Sequence, residues 1–215
     1  MPAHVITIAQ QKGGAGKTTV AAQLAVAWVK ARARVAVIDI DPQRSLAGWH
    51  GVRCGALGAD GGGIRLTEVA GWRLSTELDR LRADHDWILI DSPPHADTDA
   101  KAAIRAADLV LVPVQPSPMD LWAIGPTLEA ARKEKRPALV VLNRMPPRGT
   151  LPDRITAALA EKDVPVAAAM LGSRVAFAAS MMEGLGVVET QPRATAAQEI
   201  RALAAEVEGI LGKGR

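Results

Sequence analysis

The sequence predicts an α/β fold: a single-domain, doubly wound, mostly parallel twisted sheet with helices on both faces. Three observations predict it. Short β-branched runs alternate with amphipathic helical stretches along all 215 residues, the pattern of a parallel sheet covered on both sides. The apolar content of 48% is enough for one substantial core. Chemically versatile residues gather where strands should end, at 10–19, 39–43, 91–97, 113–117 and 143–144, the edge where such sheets bind ligands.

The elements follow in order. Val5–Ala9 is a β-branched run that stops at a glycine loop, and Lys17–Ala31 continues as a long apolar-rich helix. Arg34–Asp39 is the second strand. The glycine-rich stretch Gly55–Gly63 (GALGADGGG) reads as a mobile surface loop, followed by a weaker strand, Ile64–Val69. Gly71–Ala83 is helical, Trp87–Asp91 is a strand closing on a carboxylate, and Asp99–Ala107 is the next helix. Leu109–Val114 and Ala138–Leu142 are strands separated by a single expected helix, Met119–Lys135. Asp153–Lys162 is helical, Val164–Leu171 is expected as a last strand, and Arg174–Gly184 and Thr195–Leu211 close the chain as helices. One domain, 1–215, is expected.

Composition narrows the function classes. No apolar stretch is long enough to cross a bilayer as a helix, and no signal-peptide pattern opens the chain. One cysteine, Cys54, excludes an internal disulfide framework. Together these favour the cytoplasm. A net charge of +3 permits contact with an anionic polymer without requiring it. Aromatic content of 3%, with no Tyr, argues against single-strand binding by base stacking, so phosphates are the expected target of any nucleic-acid contact.

The first strand runs into Gln11-Lys12-Gly13-Gly14-Ala15-Gly16-Lys17-Thr18-Thr19. Gly16, Lys17 and Thr18 match the phosphate-binding loop G-x-x-x-x-G-K-[ST], with Gln11 at its first glycine position. Glycines let backbone N–H groups turn toward phosphate oxygens, and the helix beginning at Lys17 adds its positive dipole end. Lys17 is expected on the β- and γ-phosphates, the Thr18 hydroxyl on Mg²⁺, and Thr19 on phosphate oxygens. Gly13, Gly14, Ala15 and Gly16 form the cradle. Asp91, ending a strand, is expected to hold Mg²⁺ directly or through water. Lys12 is a second lysine before the glycines, beyond what one subunit's phosphates need.

The loop resembles the deviant Walker A motif, K-G-G-x-G-K-[ST], of the ParA/MinD ATPase family. Further matches run down nearly the whole chain. Asp39-Ile40-Asp41-Pro42-Gln43 is similar to the family's switch I, Ile88–Pro94 to its Walker B and switch II, and Asn143-Arg144 to its base-contacting position. The tail from Gly184 to Leu211 resembles the family's ending. The resemblance implies ATP and Mg²⁺ as cofactors and a homodimer in the ATP state. Lys12 would then reach the partner subunit's phosphates in trans, and Asp41 would position the attacking water beside the metal. Asp39 would mainly hold switch I. Asn143 could pair with the adenine edge, and the guanine signature Asn-Lys-x-Asp is not found. Pro113–Ser117 resembles the loop lining the base and the dimer seam. His95 reads as a surface-loop residue.

Within the family, a cluster-bridged reductase is disfavoured because only Cys54 is available. The final helix mixes Glu199, Arg201, Glu206 and Glu208 on its polar face, which would repel anionic lipid. It is expected to dock on the protein's own core, with no stable membrane association. With the first strand beginning near residue 5, no winged-helix domain is expected ahead of it. The implied function is a compact ParA-type ATPase, associated with the nucleoid, that binds double-stranded DNA non-specifically and positions a cargo with a ParB-like or other adaptor. Arg174, Arg193 and Arg201 are the expected DNA contacts. A MinD-like, membrane-associated regulator of division is the alternative.

Overall fold

The sheet is built from six strands: β1 (His4–Ile8), β2 (Val35–Asp39), β3 (Ile64–Glu68), β4 (Trp87–Asp91), β5 (Leu109–Val114) and β6 (Ala138–Leu142). This is a computed structural model, which describes residues 3–94, 98–148, 150–161 and 164–212. His95, Asp97 and Lys162 therefore lie outside the described residues. The helices are α1 (Lys17–Lys30), α2 (Ser45–Leu57), α3 (Leu74–Leu81), α4 (Thr98–Ala106), α5 (Pro118–Ala123), α6 (Gly125–Lys133), α7 (Leu151–Ala160), α8 (Val175–Met182), α9 (Val187–Thr190) and α10 (Thr195–Gly212).

The strand order is β3-β2-β4-β1-β5-β6, and every pair is parallel. The chain leaves β1 toward one edge and returns through β4 to cross to β5 on the other side. The order therefore reverses around β1, and the loop after β1 opens into the crevice where doubly wound sheets take ligands.

Strand alternation divides the core between the two faces. Ile6, Ile8, Leu109, Leu111, Leu139 and Val141 point toward α1, α9 and α10, meeting Leu24, Trp28, Ile200 and Leu203. Val110, Val112 and Val140 point the other way, onto Ile104, Ile155 and Leu159. Val5, Ile38, Ile88 and Ile90 share that second face with Leu78 and Leu81. α1 is buried from Val20 to Trp28 on every side, because it is sandwiched between the sheet and α10. α10 docks as the sequence predicts: Ala197, Ile200, Leu203, Ala204 and Val207 are buried. Its acids also bond inward, Glu208 accepting from Trp28 Nε1 at 2.8 Å.

Three expectations are corrected, and one helix is added. Val164–Leu171 is not a strand; it makes a single bridge, Val140 with Val166, and the next residue, Gly172, bridges Met145. Pro165 has no N–H to donate, and the Glu206 carboxylate takes the N–H groups of Ala168 and Ala169 at 2.9 and 3.0 Å, so the ladder cannot run. Residues 55–63 are not a loose loop: α2 runs to Leu57, and Gly61–Gly63 forms a 3₁₀ turn. Arg53 Nε donates to Gly61 O at 2.7 Å and holds that turn down. α2 itself was not predicted. The expected helix Met119–Lys135 breaks at Ile124 into α5 and α6, because Pro126 cannot donate to the preceding turn.

Candidate nucleotide site

The phosphate loop is shaped by two glycines that no other residue could replace cheaply. Gly14 and Gly16 have φ of 75° and 95°, in the left-handed region that glycine tolerates. A Cβ on Gly16 would also fall 2.3 Å from the Asn143 amide nitrogen. No described side chain caps α1, and its first turn carries no acid. Its leading N–H groups are therefore left to an anion, at the positive end of a buried helix.

Lys17, Thr18 and Asp91 converge at the floor of this loop. Burial pulls the Lys17 ammonium below the usual lysine range, against the pull of Asp91 and Asp41. The Thr18 hydroxyl donates to Asp91 Oδ2 at 2.6 Å. Burial pushes the Asp91 carboxyl up to about 7, opposed by that hydrogen bond. Asp91 Oδ1 is buried and has no hydrogen-bond partner. A hydroxyl beside an open, buried carboxylate oxygen is a donor set suited to Mg²⁺, which takes few protein ligands and completes its shell with water and phosphate. The residues fit that ion.

Asp39 and Asp91 are register partners at the ends of β2 and β4. Asp39 is buried and spends its oxygens on backbone, accepting the N–H of Asp41 at 3.0 Å and of Ala47 at 2.9 Å. Burial raises its pKa against those bonds. Asp39 thus pins the segment that follows β2, and Asp41 is presented half-exposed, accepting the N–H of Gln43 at 2.9 Å. Its charge reaches both Lys17 and Asp91.

Lys12 is engaged outside this cluster. Its ammonium pairs with Asp120 at the start of α5, a carboxylate that is 0% exposed while the lysine is 36% exposed. Gln115 N–H donates to Asp120 Oδ1 at 3.3 Å, and Gln115 Nε2 donates to Gly14 O at 2.5 Å. The β5–α5 loop and the phosphate loop therefore form one surface. Gln115 belongs to the Pro113–Ser117 loop that the sequence resemblance singles out, but its bond to Gly14 and the part of Asp120 were not predicted.

Beside Thr19 a cleft of about 120 Å³ opens, walled by Gly16, Asn143, Arg144, Gly172, Arg174 and Phe177. Asn143 Nδ2 donates to Ala15 O at 2.8 Å, and its Oδ1 accepts the Arg144 N–H at 2.9 Å. One amide proton and one oxygen lone pair remain for a ligand. Arg144 is exposed, with φ of 53°.

The three arginines expected on DNA differ in state. Arg174 is clamped by Glu199 through Nε, at 3.0 Å, and Nη2, at 2.5 Å. Arg201 donates to Pro192 O at 2.7 Å. Arg193 is exposed, and among the described residues no acidic side chain pairs with it.

With this geometry in place, comparison with known proteins is decisive. Residues 6–187 match the CobQ/CobB/MinD/ParA nucleotide binding domain. The chain belongs to this family. It is 32% identical over 212 residues to the Maintenance of carboxysome distribution protein A of Halothiobacillus neapolitanus, covering 95% of this chain and 96% of that protein. It is 30% identical over 198 residues to the Chromosome partitioning protein ParA of Caulobacter vibrioides, covering 72% of this chain and 74% of that one. The septum site-determining protein MinD of Pyrococcus horikoshii, solved with Mg-ADP, superposes with a TM-score of 0.79 at 23% identity, over 99% of both chains. The chain is an ATPase of this family, and it shares the fold of a protein solved with Mg-ADP. No helix among its described residues is long and apolar enough to cross a membrane.

Proposed function

We propose that this ATPase is a nucleotide-switched homodimer that binds double-stranded DNA without sequence preference and positions a cargo through an adaptor protein. The observation that carries the reading is the placement of Lys12. It lies at the start of the phosphate loop, paired with Asp120 and outside the cluster of Lys17, Thr18 and Asp91. An ammonium so placed acts on a second nucleotide, supplied by a facing subunit. Released from Asp120, Lys12 would place positive charge where negative charge develops on the transferred phosphoryl group.

The remaining roles follow from position. The N–H groups of Gly13, Gly14, Ala15 and Gly16 cradle the phosphates, Lys17 holds their terminal oxygens, and Thr19 adds a hydroxyl. Thr18 and Asp91 would hold Mg²⁺, with Asp41 near it, and the ion would supply neutralisation of phosphate charge. Asp41 orients the attacking water. Asn143 and Arg144 meet the base from the cleft. The whole chain acts as one ATPase domain.

Cargo positioning is supported by the two relatives, one named for carboxysome distribution and one for chromosome partitioning. α10 favours DNA over membrane, since its apolar face is spent on the core and Glu199 and Glu206 on backbone N–H groups. Light scattering with ADP and with a non-hydrolysable ATP analogue, followed by titration of two unrelated duplexes, tests the reading. Dimers and DNA binding only with the ATP analogue are expected. A monomer in both states, or equal DNA binding in both, overturns it.

A further inference from the structure

α5 gives neighbouring residues opposite fates. Asp120 is buried and grips Lys12, and Ile124, one turn on, is buried in the core. Met119 and Trp122, three apart, are 60% and 70% exposed. The helix cannot roll to hide them. Ser117 caps it, accepting the Met119 N–H at 3.2 Å, and Pro118 fixes its first turn. Residues three apart share a helix face, so a methionine and a tryptophan stand side by side on a short, immobilised element. Single exposed apolar residues are ordinary; two large ones, adjacent to the lysine that acts in trans, are not.

We infer that Met119 and Trp122 are the apolar anchor of the ATP-state dimer, and that a second copy of this chain is what covers them. The inference rests on the dimer proposed above. Its warrant is continuity. Lys12 touches Asp120, which lies between Met119 and Trp122 in the chain, and Gln115 ties the same loop to Gly14. A partner whose nucleotide receives Lys12 must approach over this ground. In a two-fold dimer each patch appears twice, so four large side chains line the seam. Tryptophan buries roughly 150–250 Å² and is enriched among residues that dominate association. An apolar surround also excludes water from the lysine–phosphate contact, which strengthens it.

The test compares the full-length wild type with Trp122→Ala, Met119→Ala/Trp122→Ala and Trp122→Phe. Light scattering across protein concentration is read with the non-hydrolysable ATP analogue and with ADP. Circular dichroism and nucleotide binding by the monomer establish that each variant is folded. Trp122→Ala should weaken dimerisation by about 30-fold or more, the double variant further, and Trp122→Phe only slightly. The fluorescence difference between wild type and Trp122→Phe isolates this indole among the five tryptophans, and it should shift to the blue with the ATP analogue. Wild-type dimerisation in Trp122→Ala, with no fluorescence change at position 122, overturns the inference while leaving the dimer intact. A wild type that stays monomeric removes both. Loss of adaptor response with normal dimerisation assigns the patch to the adaptor and likewise overturns it.

Discussion

The ammonium of Lys12 rests on the carboxylate of Asp120, 108 residues away in sequence and fully buried at the start of α5. The pair makes two demands on the lysine: it neutralises a buried charge in its own subunit, and in the proposed dimer it must leave that charge. Removing Lys12 therefore has a structural and a functional consequence. Lys12→Ala should lower stability by about 2 kcal/mol, because Asp120 is left buried without its cation. For a chain of this size that is a fall of roughly 4–8 °C in Tm. It should also abolish dimerisation with the ATP analogue while monomeric nucleotide affinity changes little. Thermal melts and light scattering read the two effects separately, and normal dimers from the variant would remove the trans role.

Lys17 behaves differently, since it lies inside the cradle. Lys17→Ala should weaken nucleotide binding itself, by a factor of roughly 10 to 10², the loss of one charge-assisted contact to phosphate. Isothermal titration with the ATP analogue checks this, and unchanged affinity would displace Lys17 from the phosphates.

Asp41 is held in position by the turn that Asp39 pins, yet its own carboxylate stays half-exposed. Asp41→Ala should bind ATP and Mg²⁺, dimerise and then stall, with turnover lower by roughly 10²- to 10⁴-fold. Single-turnover phosphate release measures it. Turnover near wild type would move the water-positioning role elsewhere.

The arginines are ranked by what already holds them. Arg193 is the exposed member of the expected set, whereas Arg174 is clamped by Glu199 and Arg201 is engaged by a carbonyl. If each Arg193 of a dimer meets one phosphate, Arg193→Glu should flatten the salt slope of duplex binding by about 2. Arg201→Ala should change it less. Fluorescence anisotropy at several salt concentrations decides the order, and an unchanged slope in Arg193→Glu would take that residue off the DNA surface.

The Arg53–Glu189 pair ties α2 to the segment before α10. The Arg53 side chain is fully buried, and its guanidinium meets both Glu189 oxygens at 2.8 and 2.9 Å. Arg53→Ala should cost about 3–5 kcal/mol, since it strands a largely buried carboxylate. Burial alone would raise the Glu189 pKa, but Arg53 and the Gly186 N–H hold it below the ordinary glutamate value of 4.5. The pair's stabilisation is therefore complete above that value and fades as pH falls through the lowered one. In urea melts from pH 7 to 3, Glu189→Gln should lose less stability on acidification than wild type. Parallel curves would refute the linkage.

Much of the site was legible because it is written in adjacent residues. Lys17, Thr18 and the glycines at 13, 14 and 16 follow β1 without interruption, and Asp91 closes an apolar strand. What escaped was carried by contacts between distant segments. α2 places Leu46, Trp49, His50 and Arg53 on one buried face, but Gly48, Gly51 and Gly55 lower its helix propensity. A stripe containing histidine and arginine also does not read as apolar. Tertiary packing overrode both signals.

By itself the sequence determined the parallel α/β core, the phosphate loop after its first strand and the carboxylates at the strand ends. Each depends on periodicity or on neighbours in the chain, where local conformation and burial pattern coincide. Only the tertiary structure decided that Lys12 is held by Asp120, that Asn143 braces Ala15 and that Glu199 neutralises Arg174. It also decided that residues 164–171 give their N–H groups partly to Glu206 instead of completing a strand. The reason is clearest for Asp120 and for the N–H groups of Ala168 and Ala169. A buried charge or backbone donor takes whichever partner the fold brings within hydrogen-bonding distance, and that partner lies tens to more than a hundred residues away, where no local pattern records it.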